Sequence, residues 1–339
     1  MKSTIHEHQK NNLKIVSKNL KNIGLALVLA STLFSCTPND PTDPNGNPNG
    51  GNDKYELISL RSTNLPSGNS CNKWDLNTSL AAAPGTFTNL RPLDFITSPA
   101  GLLGQTTMAY NTSAWDKINK KYAVAINESL TIYDFSGSSV PAPATYVTNV
   151  KSLEYVAGSL YALKNNEIKV NVGSTFNSLT TPAIISTSGG VHVSNMATDG
   201  SSLFIIVENK LYNYATSGTL LSTTILSGDS YDGVEYNPAD NKIYAIKKHI
   251  YPAINDELVR ITTTVGDTTL STFGYPTDYS KPTTALDYST GTYIIFTSNG
   301  HSSDSHRITE VTNLTTTSPT IATLTVSGPQ YVFGLQLKD

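Results

Sequence analysis

The sequence predicts an all-β fold, a six-bladed β-propeller closed by its C-terminal strand, behind an N-terminal secretory signal and a disordered tether. Three observations predict it. Short alternating runs of Tyr, Val, Ile, Thr and Leu are divided by Gly, Asn, Asp, Ser and Pro clusters, with no window that sustains a helical period. One strand–turn–strand phrase recurs at the spacing of four-stranded blades. The two ends of the folded region read as complementary halves of a single blade.

Residues 1–35 form the signal. Lys2, Lys10, Lys14, Lys18 and Lys21 precede an apolar segment from Ile23 to Phe34, and small Ser35 stands directly before Cys36. That is the order of n-region, h-region and cleavage site. A bilayer-spanning helix needs about 20 apolar residues, and this run is shorter, so the segment is expected to be processed rather than to span. The stretch Leu33-Phe34-Ser35-Cys36 resembles the cleavage and acylation site of bacterial lipoproteins. The resemblance implies a mature chain beginning at Cys36, a diacylglycerol on its sulfur, usually an N-acyl chain, and firm attachment to a membrane through lipid. Thr37 stands where lipoproteins kept in the inner membrane usually carry Asp, which implies a cell-envelope location at the outer membrane.

Residues 36–53 follow as the lipidated cysteine and its tether. TPNDPTDPNGNPNGGND offers nothing to a core and is rich in Pro, Gly and Asn, the composition of an extended, solvated linker. Loss of residues 1–35 removes five Lys and one Glu from the 23 basic and 26 acidic residues, leaving a net charge of −7. That sign, with no basic cluster interleaved with aromatics, excludes nucleic acid as a partner. Cys71 has no intramolecular thiol partner once Cys36 is acylated, so stability must come from a core.

Residues 54–339 form the propeller domain. The recurring phrase runs at 108–126, 153–163, 196–207, 234–246 and 285–296, with Tyr110, Tyr155, Thr198, Tyr236 and Tyr288 as its first-strand markers. Third strands are expected at 130–135, 168–172, 210–214, 257–261 and 307–311, and fourth strands around Tyr146, Ile184, Ile225, Phe273 and Leu324. YELISL (55–60) reads as a second strand without a first, and the terminal YVFGLQLKD as a first strand with nothing after it. KWDL (73–76) and GTF (85–87) would complete that last blade, and closure would protect the inner sheet edges. Trp74-Asp75 and Trp115-Asp116 are the only Trp-Asp pairs, the second placed in a turn, so the repeat signature of WD proteins is not met. By pattern the domain resembles six-bladed propellers carried by envelope lipoproteins.

Loop lengths point to a recognition face. Asn127-Glu128, Asn165-Asn166 and Glu208-Asn209 make tight turns between second and third strands, whereas 247–256, 297–306 and 61–72 are long and emerge on the same face as the connection 91–105. This sector carries the candidate binding residues His249, Tyr251, Asp256, His301, Asp304 and His306. They lack the spacing of a metal site, so no metal and no cofactor is expected. No nucleophile turn, zinc-protease, Walker or dinucleotide motif is present, and no catalytic residue is assigned. Asp199, Asp232, Glu235 and Asp287 lie on or beside first strands, where channel-lining carboxylates would sit, but they are read first as residues that end strands or satisfy turn amides. Asp267-Thr268-Thr269 resembles a short bacterial O-glycosylation motif. The expected function is a membrane-anchored, non-catalytic binding or scaffold module for an envelope protein or a glycan. The alternative is a propeller hydrolase or lyase with a channel-centred, calcium-dependent site.

Overall fold

The computed structural model describes residues 57–62, 94–97, 111–126, 129–135, 149–172, 175–179, 185–186, 191–249, 255–273, 282–288, 290–298, 306–326 and 331–337. Two strands stand first in the chain, β1 (Leu57–Ser62) and β2 (Asp94–Thr97). Five blades of consecutive antiparallel strands follow. The first is β3 (Asn111–Asp116), β4 (Lys121–Ile126) and β5 (Ser129–Asp134). The second is β6 (Val150–Val156), β7 (Ser159–Lys164), β8 (Glu167–Val172) and β9 (Thr175–Ser178). The third is β10 (Val193–Thr198), β11 (Ser202–Val207), β12 (Lys210–Ala215) and β13 (Leu220–Ile225). The fourth is β14 (Ser230–Asn237), β15 (Lys242–Lys248), β16 (Glu257–Thr262) and β17 (Gly266–Thr272). The fifth is β18 (Thr283–Asp287), β19 (Thr292–Ser298), β20 (His306–Thr312) and β21 (Thr320–Val326). The last strand, β22 (Tyr331–Leu337), returns to the chain's beginning and pairs antiparallel with β1, Leu57 opposite Leu337 and Ser62 opposite Tyr331.

This is an all-β propeller closed by its C-terminal strand. The first strands contact one another in the order β22, β3, β6, β10, β14, β18 and back to β22, which makes the ring. The expectation of six like blades is corrected to five. The sheet that joins the ends has three described strands, and its outer strand β2 runs parallel to β1, Ile58 opposite Asp94 and Arg61 opposite Thr97. A tight hairpin from β1 would place β2 antiparallel, so the parallel register departs from the expected run of hairpins. Residues 91–105 are therefore not simply a connection. The expected strands at 73–76 and 85–87 lie outside the described residues, as do Tyr110, Tyr146, Cys36, Cys71 and the whole of 1–53.

Other boundaries also shift. Trp115 and Asp116 end β3 instead of sitting in a turn, and Trp115 takes the place given to Tyr110, facing Tyr122 across the β3–β4 pair. The fourth strand of the second blade is β9, before Ile184, because Asn171 and Val172 pair directly with Phe176 and Thr175. The turns have local causes. Asn165 and Asn166 both hold positive φ, 51° and 66°, as a two-residue hairpin turn requires. Asp116, Asp199, Asn237 and Asp287 each use a side-chain oxygen to accept backbone N–H groups two or three residues on, fastening four first-to-second-strand turns.

The core lies between blades. β11 is buried at all six positions and β18 at all five, whereas outer β13 alternates between exposed and half-buried. Leu163 and Ile168 of the second blade pack with Val193, Met196 and Ile205 of the third, and Ile206 and Leu211 of the third with Val234, Ile243 and Val259 of the fourth. Tyr244, Ile246 and Leu258 meet Leu286, Tyr293 and Ile295 in the same way at the next interface. Phe204 stacks on Tyr236 across a blade boundary, with centroids 5.7 Å apart.

Two such boundaries use the same device. Tyr122 Oη donates to Gly334 O and Tyr293 Oη to Gly233 O, so a buried tyrosine of one blade caps a carbonyl on the inner strand of its neighbour. Both glycines have positive φ, 63° and 60°, and a methyl group on either would press into that tyrosine hydroxyl. Gly233→Ala and Gly334→Ala are each expected to cost about 2–4 kcal/mol in denaturant unfolding, from backbone strain plus overpacking. Gly200→Ala is the control: it also has positive φ, but a Cβ there meets nothing within 4 Å, and the cost should stay near about 1 kcal/mol. Equal losses at all three positions would mean the tyrosine contacts do not matter.

Candidate functional site

The inner strands enclose a cavity of about 430 Å³ at the end of the ring axis rimmed by first-to-second-strand turns. Its walls come from every described member of the ring, β3, β6, β10, β14, β18 and β22. Toward the other end the space shrinks to about 10 Å³ among Ser113, Asp232, Gly233, Thr284 and Gln336, about room for one water. Between the described strands the channel is thus a funnel, wide at the end rimmed by those turns.

Polar side chains bridge the inner strands where backbone pairing cannot, because first strands of adjacent blades are not hydrogen-bonded as a sheet. Leu153 N–H donates to Thr112 Oγ1 (3.2 Å), and Leu335 N–H to Thr283 Oγ1 (2.6 Å). Asn195 Nδ2 donates to Val234 O (2.7 Å) while its Oδ1 accepts from Val234 N (2.6 Å), a two-way clasp. Gln336 Nε2 reaches Ser113 O and Oγ, both 3.1 Å away, and joins the C-terminal strand to the first blade.

Two carboxylates occupy the funnel, Glu154 on β6 and Glu235 on β14. Glu154 Oε1 accepts Tyr155 N–H (2.8 Å), and Glu235 Oε1 accepts Thr284 Oγ1–H (2.9 Å). Among the described residues neither is in an ion pair. Desolvation, then repulsion from Glu235, raises the Glu154 carboxyl well above its usual range. Desolvation pushes Glu235 up to about 7 against the opposing Thr284 hydrogen bond. Tyr288 couples to both: its ring keeps half its surface exposed at the rim, yet burial of the phenol and then the charges of Glu235 and Glu154 raise its pKa far above the usual phenol range. Trp115, Tyr155 and Tyr236 add aromatic wall on three other strands.

The carboxylates expected in the channel divide by role. Asp199 and Asp287 reach the rim but are spent on turns: Asp199 Oδ1 accepts Ser202 N–H at 2.6 Å, and Asp287 Oδ2 accepts the Thr290 hydroxyl at 2.5 Å. Asp232 is buried at the narrow end, 3.0 Å from His192 Nε2. Glu235 alone of the four faces the wide cavity without such a duty. Asp267 is explained by structure, since it accepts Ser227 N–H and Oγ–H at 2.7 Å each and the Tyr231 hydroxyl at 3.1 Å.

Of the candidate binding residues, the described His249, Asp256 and His306 stand at the ends of strands on the opposite face. His249 and Asp256 lie at the feet of the loop between β15 and β16, where His249 Nε2 is 3.4 Å from Glu257 Oε1 and Asp256 Oδ2 is 3.0 Å from Lys248 Nζ. Asp256 and Lys248 form an ion pair, whereas His249 Nε2 is buried without a hydrogen-bond partner among the described residues. His306 is the first residue of β20, and Tyr251, His301 and Asp304 lie outside the described residues. Among the described residues no three His, Cys, Asp or Glu side chains converge as a metal site would require.

Sequence reasoning missed Glu154 and the part played by Tyr288. A signal was present: an acid–tyrosine dipeptide recurs in three copies of the phrase, as Glu154-Tyr155, Glu235-Tyr236 and Asp287-Tyr288.

Comparison with known proteins gives the fold only distant company. No protein-family model and no curated protein matches the chain. Among solved structures, TolB from Acinetobacter baumannii aligns at 13% identity and a TM-score of 0.45, over 67% of this chain and 56% of that one. This chain therefore spans little more than half the length of that TolB. The WD40 domain of coronin from Toxoplasma gondii aligns at 12% identity and a TM-score of 0.43, over 65% of this chain and 58% of that one.

The raised carboxyl predicts a pH-dependent stability. A group at about 7 in the fold and near 4.5 when unfolded binds its proton more tightly in the fold, so its contribution is full below about pH 4.5 and is lost as pH rises through about 7. Glu235→Gln mimics the protonated form. It should leave thermal stability nearly unchanged at pH 4 and raise it at pH 8, by up to about 3 kcal/mol. A destabilised Gln variant at pH 8 would show instead that the ionised carboxylate is favourably paired.

Proposed function

We propose that the protein is a lipid-anchored envelope lipoprotein whose propeller is a non-catalytic binding module, holding an envelope protein or a glycan at the wide mouth of its central funnel. The observation that carries the reading is the cavity of about 430 Å³, walled by Trp115, Tyr155, Tyr236 and Tyr288 with a few convergent polar groups, the usual make-up of a ligand site. Ile118 at the rim is 68% exposed and Tyr288 51% exposed, so apolar surface continues from the cavity onto the face around it. Anchoring through Cys36, with residues 37–53 as tether, is the reading of the signal and linker composition; it leaves the folded domain free to reach a partner away from the membrane.

The hydrolase reading has one observation in its favour, two carboxyls with raised pKa in one channel. Acid–base catalysis wants the pair split, one group protonated and its partner ionised. Here desolvation raises both and repulsion from Glu235 raises Glu154 further, which is the observation a hydrolase reading would build on.

Two experiments test the proposal. A photo-crosslinking residue at Ile118 should capture a partner in intact cells, while one at Val265, still more exposed but on the outer β16–β17 turn, should not. Capture only from position 249 would move the site to the opposite face. Cys36→Ser should abolish incorporation of labelled palmitate and release the protein from membranes; continued labelling would refute the anchor.

A further inference from the structure

We propose that the funnel recognises an alkylammonium group, a compact primary cation on an apolar stem, held between Glu154 and Glu235 with its stem against the aromatic wall. The inference rests on the cavity being the binding site, and it names the chemistry that the site selects.

Glu154 and Glu235 are half-buried in the wall of the cavity, where a carboxylate shielded from bulk water gains from a paired cation or from further hydrogen bonds. Glu154 and Glu235 each have one carboxylate oxygen engaged, by Tyr155 N–H and by the Thr284 hydroxyl, and among the described residues the second oxygen of each has no partner. Both side chains line the cavity. The ring that sets their positions also keeps them near enough to repel one another. A ligand cation placed between them would remove that repulsion and fill both open acceptor sites.

The surroundings select the kind of cation. An ammonium group carries three donors that diverge, and so can reach carboxylates on separate blades with a third donor left over for the Tyr288 hydroxyl. A guanidinium presents its donors in one plane and suits a single carboxylate bidentately. Aromatic faces attract a cation and also shelter a methylene stem, and Trp115, Tyr155 and Tyr236 stand on three different strands around the same space. The exposed Ile118 and Tyr288 at the rim extend that apolar path outward. A bare metal ion would use none of these aromatic walls, and two available carboxylates fall short of the six to eight oxygens that calcium takes.

The same head group could belong to a free alkylamine or to a lysine side chain of a partner. Calorimetric titration of the purified folded domain at pH 8 and low salt would use four probes. These are n-pentylamine and its neutral counterpart 1-pentanol, and N-acetyl-lysine-methylamide and its Nε-acetylated form. The inference expects at least one amine to bind and its neutral counterpart to bind at least about tenfold more weakly, with Glu154→Gln/Glu235→Gln losing about tenfold or more for the amine, the scale of a charge-assisted hydrogen bond. Binding of the lysine derivative alone would assign the source to a partner's side chain, and of pentylamine alone to a free amine. The single Gln variants, each expected to fold at least as well as the parent, provide the graded series should the double variant misfold. Equal binding of amine and neutral probe, an amine affinity untouched by the Gln variants, or no binding of either amine at millimolar concentration would each overturn the inference. Capture from Ile118 together with any of those results would leave the funnel as the binding site and discard only its cation selectivity.

Discussion

Ring closure is the constraint on which the rest of the molecule depends. Each blade is a small sheet with two apolar faces, and it buries them only against its neighbours. An open array would leave the faces at both ends in water. Closure falls to β22, the last strand described, which pairs with β1 and at the same time stands between β18 and β3. Its side-chain bonds face both ways: Leu335 N–H reaches Thr283 on one side, and Gln336 reaches Ser113 on the other. The same strand offers Gly334 O to Tyr122 of the first blade. Pairing the ends of the chain thus makes the ring a single cooperative unit instead of a row of independent sheets.

The geometry that closes the ring also creates the site. Inner strands converge on one axis, and whatever points inward from one blade must face what points inward from the others. Most inward positions relieve this crowding with side chains that bond to the neighbouring strand, as Asn195 does with Val234. Glu235 does so with one oxygen, which accepts the Thr284 hydroxyl of the next blade, whereas Glu154 accepts only the N–H of its own neighbour Tyr155. Desolvation opposes their ionisation, and the ring is held by many contacts besides theirs, such as the Asn195–Val234 clasp and the Gln336–Ser113 bonds. A locally unfavourable pair in an otherwise well-satisfied scaffold is the usual mark of a site shaped for something else to bind.

Much of the architecture was legible because it is carried by local pattern. Alternating apolar strands, Asn165-Asn166 at a tight turn and the apolar tail resembling a first strand all follow from residue chemistry within a few positions. The pairing of tail with β1 was legible for the same reason, since two half-patterns required each other. What was not legible depends on returns through space. Nothing near Asp94–Thr97 marks it as a parallel partner for β1, and the earlier placement of β9 follows from its register with β8 rather than from its composition. The site divides the same way. Asp199 and Asp287 as turn-forming residues could be read from their positions at strand ends, whereas the opposition of Glu154 and Glu235 exists only across the channel and leaves no spacing in the chain. The long loops did stand out, but length marks where a surface is permissive. The cavity is made by the inner strands and opens on the other face.

The most direct test of the account is native-state hydrogen exchange on the intact domain, comparing the amide of Leu335 in β22 with those of Ile206 in β11 and Val234 in β14. If the C-terminal strand closes a cooperative ring, all three exchange through the same global opening, with protection agreeing to within about tenfold and falling together in denaturant. If Leu335 instead exchanges orders of magnitude faster and with little denaturant dependence, β22 opens on its own, and the ring, with the funnel it encloses, does not depend on closure.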